Sequence, residues 1–317
     1  MVAFTLSSFV AQLRMSRQHF IVVEGKEDRE FVLNLRTKLN LPHRTVYAAS
    51  DMQNGFSHPK CNRKKVEEIA SLSVEYGTSD RLTCLVDREF REFNLQRCSD
   101  KIGLHHVVNN TYWTLGHSFE NYFFDPTLLV KGFSCLTTAH WHASADQYFS
   151  SHFDFFSTIA ASLSIADFEV EKSGFSIGLR PEIFKLFKEI NGATPSLDTA
   201  YLDQFINDRL DPKRASRHLT SFKRSLAAMK NTIPSEVRKF IRGHTGIVIF
   251  QASYAWCLAF TAPKTCDQND IGSKVNEVLQ ASSESIFKQL LRSYLIILDN
   301  TPCRLQFSAY PRQFFLR

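Results

Sequence analysis

The sequence predicts an α/β protein, with a small parallel sheet followed by a mostly helical domain. Two observations carry this. Apolar runs at residues 20–23 and 81–86 are separated by helical periodicity and each gives way to acidic residues, the pattern of parallel βα units. Beyond Pro126 that alternation stops and the remaining segments read as helices. With 317 residues the chain exceeds the size at which one core stops growing, about 250–300 residues. Two domains are therefore expected, residues 1–128 and 129–317.

Taken in order, residues 4–13 place Phe4, Leu6, Phe9, Val10 and Leu13 near helical spacing, as a short amphipathic lead-in. Residues 20–23 (Phe-Ile-Val-Val) form a buried strand, and Glu24-Gly25 follows at its tip. Glu27, Asp28 and Glu30 load the first turn of the next helix, where the macrodipole favours negative charge. Residues 45–49 read as a second strand, 50–60 as a loop, 62–76 as a helix and 81–86 as a third strand ending on Asp87. A fourth short strand is expected at 104–108. Ser118 is placed to cap a helix with Glu120 in its first turn, and Pro126 closes the unit. The helices expected beyond it span 143–163, 181–190, 199–210, 214–230, 235–260 with a break at 243–246, and 270–295. The apolar tail at 313–317 is expected to dock rather than to be solvated.

Composition narrows the class. Hydrophobic content of 44% with 22% charged residues is that of a globular chain. The net charge of +6 leans towards an anionic partner. Seven cysteines without a CxxC pair argue against a disulfide framework, and the N-terminus lacks a signal-peptide pattern, so a cytoplasmic location is expected. The longest apolar segment, 246–262, contains Gln251 and Ser253 and is too short for a bilayer, so it reads as a buried core helix and no membrane partner is expected. No P-loop, dinucleotide fingerprint or Gly-x-Ser-x-Gly is present, so any nucleotide-driven motor belongs to a partner. His140 and His142 with Cys135 or Asp146 match no familiar zinc spacing. Asn109-Asn-Thr111 fits a glycosylation pattern that has no role in a cytoplasmic protein.

Chemistry gathers on Glu24, Asp87, Glu89 and Glu120. Any one of these acids alone is as easily a loop or cap residue. Carboxylates at the carboxyl ends of neighbouring parallel strands point instead to a shared divalent cation, Mg²⁺ or Mn²⁺, held by one or two carboxylates with water and substrate phosphates. Such an ion activates water and stabilises the leaving oxygen of a phosphodiester. A second signal is basic. Residues 205–246 carry ten lysines and arginines against three acids, a surplus of seven that exceeds the whole chain's. On the helix there, Lys213, Arg217 and Arg224 oppose Leu219, Phe222 and Leu226, which suits either a solvated face or a phosphate track, with Arg63, Lys64 and Lys65 as a further contact.

The ordered set of strand plus Glu-Gly, strand plus Asp-x-Glu (Asp87, Arg88, Glu89) and Glu-Asn-Tyr-x-x-Asp-Pro (residues 120–126) resembles the TOPRIM domain. More narrowly it is similar to the TOPRIM-like nuclease effectors of the OLD class that act in PARIS-type anti-phage defence. The resemblance covers residues 20–126. It implies that Glu24 is the essential glutamate, holding metal or acting as general base. Asp87 and Glu89 stand for the Asp-x-Asp pair that binds Mg²⁺, and Glu120 for an additional acid. Glu89 departs from that pattern by being one carbon longer. The phrase Ile241-Arg-Gly-His244 also resembles a segment of this group. By the same resemblance the protein is expected to be a toxic nuclease of abortive infection that cleaves RNA, host tRNA in particular. An ABC-type ATPase partner would restrain it until infection, and the active form would be a homodimer. A TOPRIM-like binding module with little catalysis and a DNA-cleaving nuclease are the alternatives.

Overall fold

A computed structural model describes residues 5–103, 105–171, 181–190 and 194–300. The expected docking of the tail at 313–317 lies outside these residues. The described residues divide into two compact units: those within 5–91, 102–119 and 298–300 form the first, and those within 92–101 and 120–297 the second. The division thus falls after Phe119 rather than at 128, and a short excursion between the third and fourth strands of the first unit belongs to the second.

In the first unit, α1 (Leu6–Met15) is capped by the Thr5 hydroxyl, which accepts from the Ser8 N–H. It is followed by β1 (Phe20–Val23), α2 (Lys26–Lys38), β2 (Thr45–Ala48), α3 (Asn62–Glu75) and β3 (Leu82–Val86). The excursion forms a two-residue hairpin of β4 (Phe93–Asn94) and β5 (Ser99–Asp100), after which β6 (Val107–Val108) and β7 (Thr111–Trp113) return to the sheet. The strand order is β2-β1-β3-β7-β6, with β2, β1, β3 and β7 parallel and β6 antiparallel at one edge. All four residues of β1 and all five of β3 are buried, as strands covered on both faces must be. Phe20 and Val22 enter a core with Leu6, Phe9, Leu13, Val66, Ile69 and Val86. The pleat sends Ile21 and Val23 to the opposite face.

The strand expected at 104–108 is corrected. Within it Val107–Val108 pairs antiparallel with β7, Leu104 lies outside the described residues, and the parallel fourth strand is Thr111–Trp113. Asn109 takes φ 55 in the turn between them, a left-handed conformation that asparagine tolerates. The Asn-Asn pair is therefore a hairpin turn.

The second unit opens with a 3-10 turn at Phe119–Phe123, not the expected α-helix. Pro126 does not close anything; it is the first residue of α4 (Pro126–Ser134), whose N-cap Asp125 accepts from the Thr127 N–H. The expected helix at 143–163 is two, α5 (His142–Ser151) and α6 (Phe153–Glu171). Residues 181–190 are not a helix: a 3-10 turn leads into β8 (Phe187–Ile190), which pairs antiparallel with β9 (Thr194–Leu197). Then come α7 (Thr199–Asn207), α8 (Pro212–Met229), α9 (Pro234–Lys239), α10 (Gly243–Phe260), α11 (Gln268–Leu279) and α12 (Ser283–Asn300). The helix expected at 270–295 is thus divided at 280–282. The segment read as a core helix is one: α10 is buried nearly throughout and packs against α5, α6 and α11. Among the described residues no helix is long and apolar enough to cross a membrane.

Candidate functional site

Glu24 and Asp87 come together because β1 and β3 are neighbours in the sheet. The pairing runs Phe20↔Leu82 to Val22↔Cys84, so the residues just past each strand emerge side by side at the carboxyl edge. Gly25, with its extended backbone, is the N-cap of α2, and the Asp28 carboxylate accepts from the Gly25 N–H at 2.8 Å. The Glu24 carbonyl accepts from the Ser50 N–H at the end of β2. The carboxylate Oε1 of Glu24 accepts from the Asp87 N–H at 2.8 Å, and Asp87 Oδ1 accepts from the Phe119 N–H at 2.9 Å. Phe119 is held in turn by an edge-to-face contact with Phe31 on α2. Both acids are thus oriented by backbone donors, which position a side chain more firmly than solvent does.

Burial, the dominant cause, pushes the Glu24 carboxyl up to about 8, reinforced by the like charges of Asp28 and Glu89 and opposed by the Asp87 N–H and Arg63. At neutral pH this carboxyl favours its protonated form unless a cation is brought to it.

The loop after β3 is anchored by a residue the sequence did not single out. Arg88 is fully buried, the largest such side chain among the described residues. Its Nε donates to the Arg91 carbonyl, its Nη1 to the Leu115 carbonyl, and its N–H to Thr114 Oγ1. A charged residue between two acids in a motif reads as solvent-facing, so nothing in the sequence marks it. Glu89 then takes φ 54, a left-handed conformation that is uncommon outside glycine, and its N–H donates to the His117 carbonyl at 2.6 Å. Its side chain pairs with Arg63, and its charge is near enough to Glu24 to help raise that carboxyl.

Of the three cations expected as nucleic-acid contacts, Arg63 is thus paired with Glu89, and Lys65 departs from the expectation. Lys65 is buried, donating from Nζ to the carbonyls of Ala49 and Met52, and so has no phosphate-facing role. Lys64 alone of the three is exposed. Cations in the first turn of a helix run against its macrodipole, and these specific partners are what offset that cost for Arg63 and Lys65.

Glu120 belongs to the second unit, where its carboxylate lies on the first turn of α10. A Cβ built on Gly243 would come within 2.2 Å of Glu120 Oε2, so only glycine leaves room. The two motifs read separately from the sequence prove to be partners. Asn121 Nδ2 donates to the carbonyls of Arg238 (2.6 Å) and Ile241 (3.0 Å), filling acceptors where the helix breaks between α9 and α10. Arg238 Nη1 donates to the Phe124 carbonyl, and Gly246 leaves space for the Phe124 ring. Within the Ile241–His244 phrase, Ile241 and Gly243 lie against residues 120 and 121.

On the basic segment, much of the charge is internally matched. Lys239 is buried between Asp100 at 3.1 Å and Glu236 at 2.8 Å, Lys223 pairs with Asp203, and Arg214 with Asp211. Arg224, expected on an open track, pairs with Glu169 at 2.6 Å. Lys213 and Arg217 are exposed on α8, Arg217 donating weakly to the Glu169 carbonyl at 3.4 Å. Arg217 and Arg224 line a groove of about 470 Å³ with Ser216, Thr220, Ser221 and Glu169.

Among the described residues no three His, Cys, Asp or Glu side chains gather as a metal-ligating group. In the zinc candidate, His142 Nδ1 faces the Ala139 carbonyl, and Asp146 accepts from the Tyr254 hydroxyl. Glu24 and Asp87 nonetheless fit a hard cation that takes two protein carboxylates and fills its remaining positions with water and phosphate oxygen. The fit rests on two oriented carboxylates at adjacent strand ends, one of which burial leaves short of positive charge. Comparison with protein-family models and with curated proteins returns no match.

Proposed function

We propose that this protein is a metal-dependent nuclease with a TOPRIM-like catalytic unit, cleaving RNA, and that Glu24 and Asp87 are its metal-holding pair. The observation that carries the reading is the juxtaposition of these two carboxylates at adjacent parallel strand ends, with the Glu24 carboxyl raised to about 8 by burial. A Mg²⁺ or Mn²⁺ ion there would supply a nucleophilic water and neutralise charge on the phosphoryl oxygens. Glu24 and Asp87 would hold it, the Asp87 and Phe119 N–H groups keeping the two carboxylates aimed, and the buried surroundings of Glu24 strengthening every electrostatic interaction made there. A carboxyl raised to this range also suits proton transfer near neutral pH. Glu89 is left out of the pair because its carboxylate pairs with Arg63, and Glu120 because its carboxylate lies against Gly243 in the second unit.

The biological role follows from the resemblance to OLD-class effectors: a toxin of anti-phage defence acting on tRNA, restrained by an ABC-type ATPase and active as a homodimer. The test is cleavage of labelled tRNA, other RNA and DNA with and without Mg²⁺ and Mn²⁺, by the wild-type protein and by Glu24→Gln and Asp87→Asn. Metal-dependent RNA cleavage lost in both variants supports the reading. Preferred DNA cleavage would redirect it. One observation favours the alternative of a binding module: Glu89 is engaged by Arg63, and among the described residues no three ligands gather. That reading expects RNA binding without metal-dependent cleavage.

A further inference from the structure

The groove on α8 lies wholly within the second unit, and the proposed chemistry has so far given it no part. Its walls are residues 216–224 of α8, the end of α6 at Phe168 and Glu169, and the tip of the β4–β5 hairpin at Leu95 and Gln96. Its volume of about 470 Å³ falls in the range of small-molecule sites, about 300–1,000 Å³. Ser216, Arg217, Thr220, Ser221 and Arg224 recur at i, i+1, i+4, i+5 and i+8, which is one side of a helix. The hairpin tip is held in shape by Asn94, whose Oδ1 accepts from the N–H groups of Gln96 and Arg97, each at 3.1 Å.

The charges lining this groove do not cancel. Glu169 Oε2 accepts from Arg224 Nη2 at 2.6 Å and from the Ser221 hydroxyl at 2.7 Å, which matches one guanidinium to the one carboxylate. Arg217 is exposed and has no carboxylate partner among the described residues, where its contact is the long one to the Glu169 carbonyl. One positive charge is therefore left over, and its planar fork matches a phosphate. Glu169 Oε1 is left over as well: it makes no hydrogen bond to a described residue and is not a buried atom, the side chain being 24% exposed. An ionised carboxylate oxygen only accepts, so what it lacks is a hydroxyl or N–H donor. Ser216 and Thr220 are exposed and add hydroxyls that serve in either role, while Phe168 and Leu95 supply apolar surface for a flat ring. An anion, a donor hydroxyl and a flat ring in one small molecule describe a ribonucleotide. Its 2′-hydroxyl is the donor that DNA lacks, and an acidic side chain is a recurrent partner for it.

We propose that this groove binds a ribonucleotide, Arg217 taking its phosphate and Glu169 Oε1 accepting from its 2′-hydroxyl, so that Glu169 selects ribose over deoxyribose. Arg224 and Ser221 are positioning residues, holding Glu169 by its other oxygen. The ligand class is a ribonucleoside phosphate, either free or as one nucleotide of an RNA chain. The second source rests on the nuclease reading, and the first does not.

Binding to the full chain in metal-free buffer tests both sources without turnover. AMP and 2′-deoxy-AMP are titrated by calorimetry, and short labelled oligoadenylates of ribose and of deoxyribose by fluorescence anisotropy. The wild-type protein is expected to prefer the ribose form about tenfold, the worth of one hydrogen bond to a charged group. Arg217→Ala should weaken ribose and deoxyribose forms alike, by about tenfold, because the phosphate is common to both. Glu169→Ala should bring the ribose-to-deoxyribose ratio to about one. The ratio is the readout, since removing a carboxylate also raises the attraction for any phosphate. Oligoadenylate binding weakened by Arg217→Ala assigns the groove to an RNA chain, and AMP binding alone assigns it to a free nucleotide. Equal affinity for ribose and deoxyribose in the wild type, unchanged affinity in Arg217→Ala, or no binding of any of the four probes would each overturn the proposal. Should Glu169→Ala fail to fold, the wild-type ratio and Arg217→Ala, at an exposed position, still decide it. A chain that cleaves nothing yet prefers AMP to 2′-deoxy-AMP leaves this inference standing without the nuclease reading, and a metal-dependent nuclease with no such preference does the reverse.

Discussion

Glu24→Gln is expected to stabilise the first unit at neutral and alkaline pH and to leave it unchanged in acid. Burial lifts the Glu24 carboxyl from 4.5 to about 8 in the folded chain. Between those two values the unfolded chain has released a proton that the folded chain still holds, so stability falls as pH rises through this window and levels off above it. At about 1.36 kcal/mol per pH unit the shift sets a ceiling of about 5 kcal/mol. Glu24 is partly exposed, and solvent screening brings the expected difference to about 2–3 kcal/mol. Glutamine keeps an oxygen to accept from the Asp87 N–H, so the comparison isolates the charge. The measurement is urea unfolding of both proteins at intervals from about pH 5 to about pH 9. Coincident curves in acid that diverge towards pH 8, with the variant the more stable, are the expected result. Added Mg²⁺ should narrow the gap, because it binds the ionised wild-type site. Parallel pH profiles would refute the reasoning, showing that Glu24 ionises in the folded chain as an ordinary carboxyl does.

Other outcomes follow from the same contacts. Gly243→Ala should destabilise the second unit by about 1–3 kcal/mol through collision with Glu120, and Glu120→Ala in the same chain should recover most of that loss in thermal melting. Asn121→Leu strips the donors from two buried carbonyl contacts and should cost about 2–3 kcal/mol; a melting temperature unchanged from wild type would show that those carbonyls find other donors. Lys65→Ala should lower stability yet leave the salt dependence of RNA binding untouched, since its ammonium is committed to the Ala49 and Met52 carbonyls. Arg217→Glu on the exposed face of α8 should reduce the slope of log K against log salt by about 0.7 per lost phosphate contact, and an unchanged slope would place the nucleic-acid track elsewhere.

Much of the first unit was legible from residues 20–87 alone. Phe20–Val23 and Leu82–Val86 are continuous apolar runs bounded by polar residues, and a buried parallel strand requires that composition. Helices whose apolar face repeats at 3.6 residues announced themselves in the same way. The short pieces were less legible. Val107–Val108 and Thr111–Trp113 are too short for periodicity to register, and the four residues of β8 read as helix because so short a run shows no alternation and only its pairing with the adjacent β9 decides its conformation. The helix breaks at His152 and at 280–282 leave no clear mark in an apolar pattern that continues on both sides.

The sequence by itself determined that Glu24 and Asp87 end strands, because a carboxylate directly after a buried apolar run has nowhere to go but the tip. What only the tertiary structure decided is which charges meet. Arg63 and Glu89 are separated by 26 positions in sequence, and Glu120 and Gly243 by more than a hundred, yet each pair is in contact. Strand order and helix docking bring such groups together, and neither is encoded in local spacing. An Asp-x-Glu motif names two acids of the same chemical type. Their environments separate them: a backbone N–H holds Asp87 beside Glu24, whereas a left-handed backbone and a nearby guanidinium take Glu89 to Arg63.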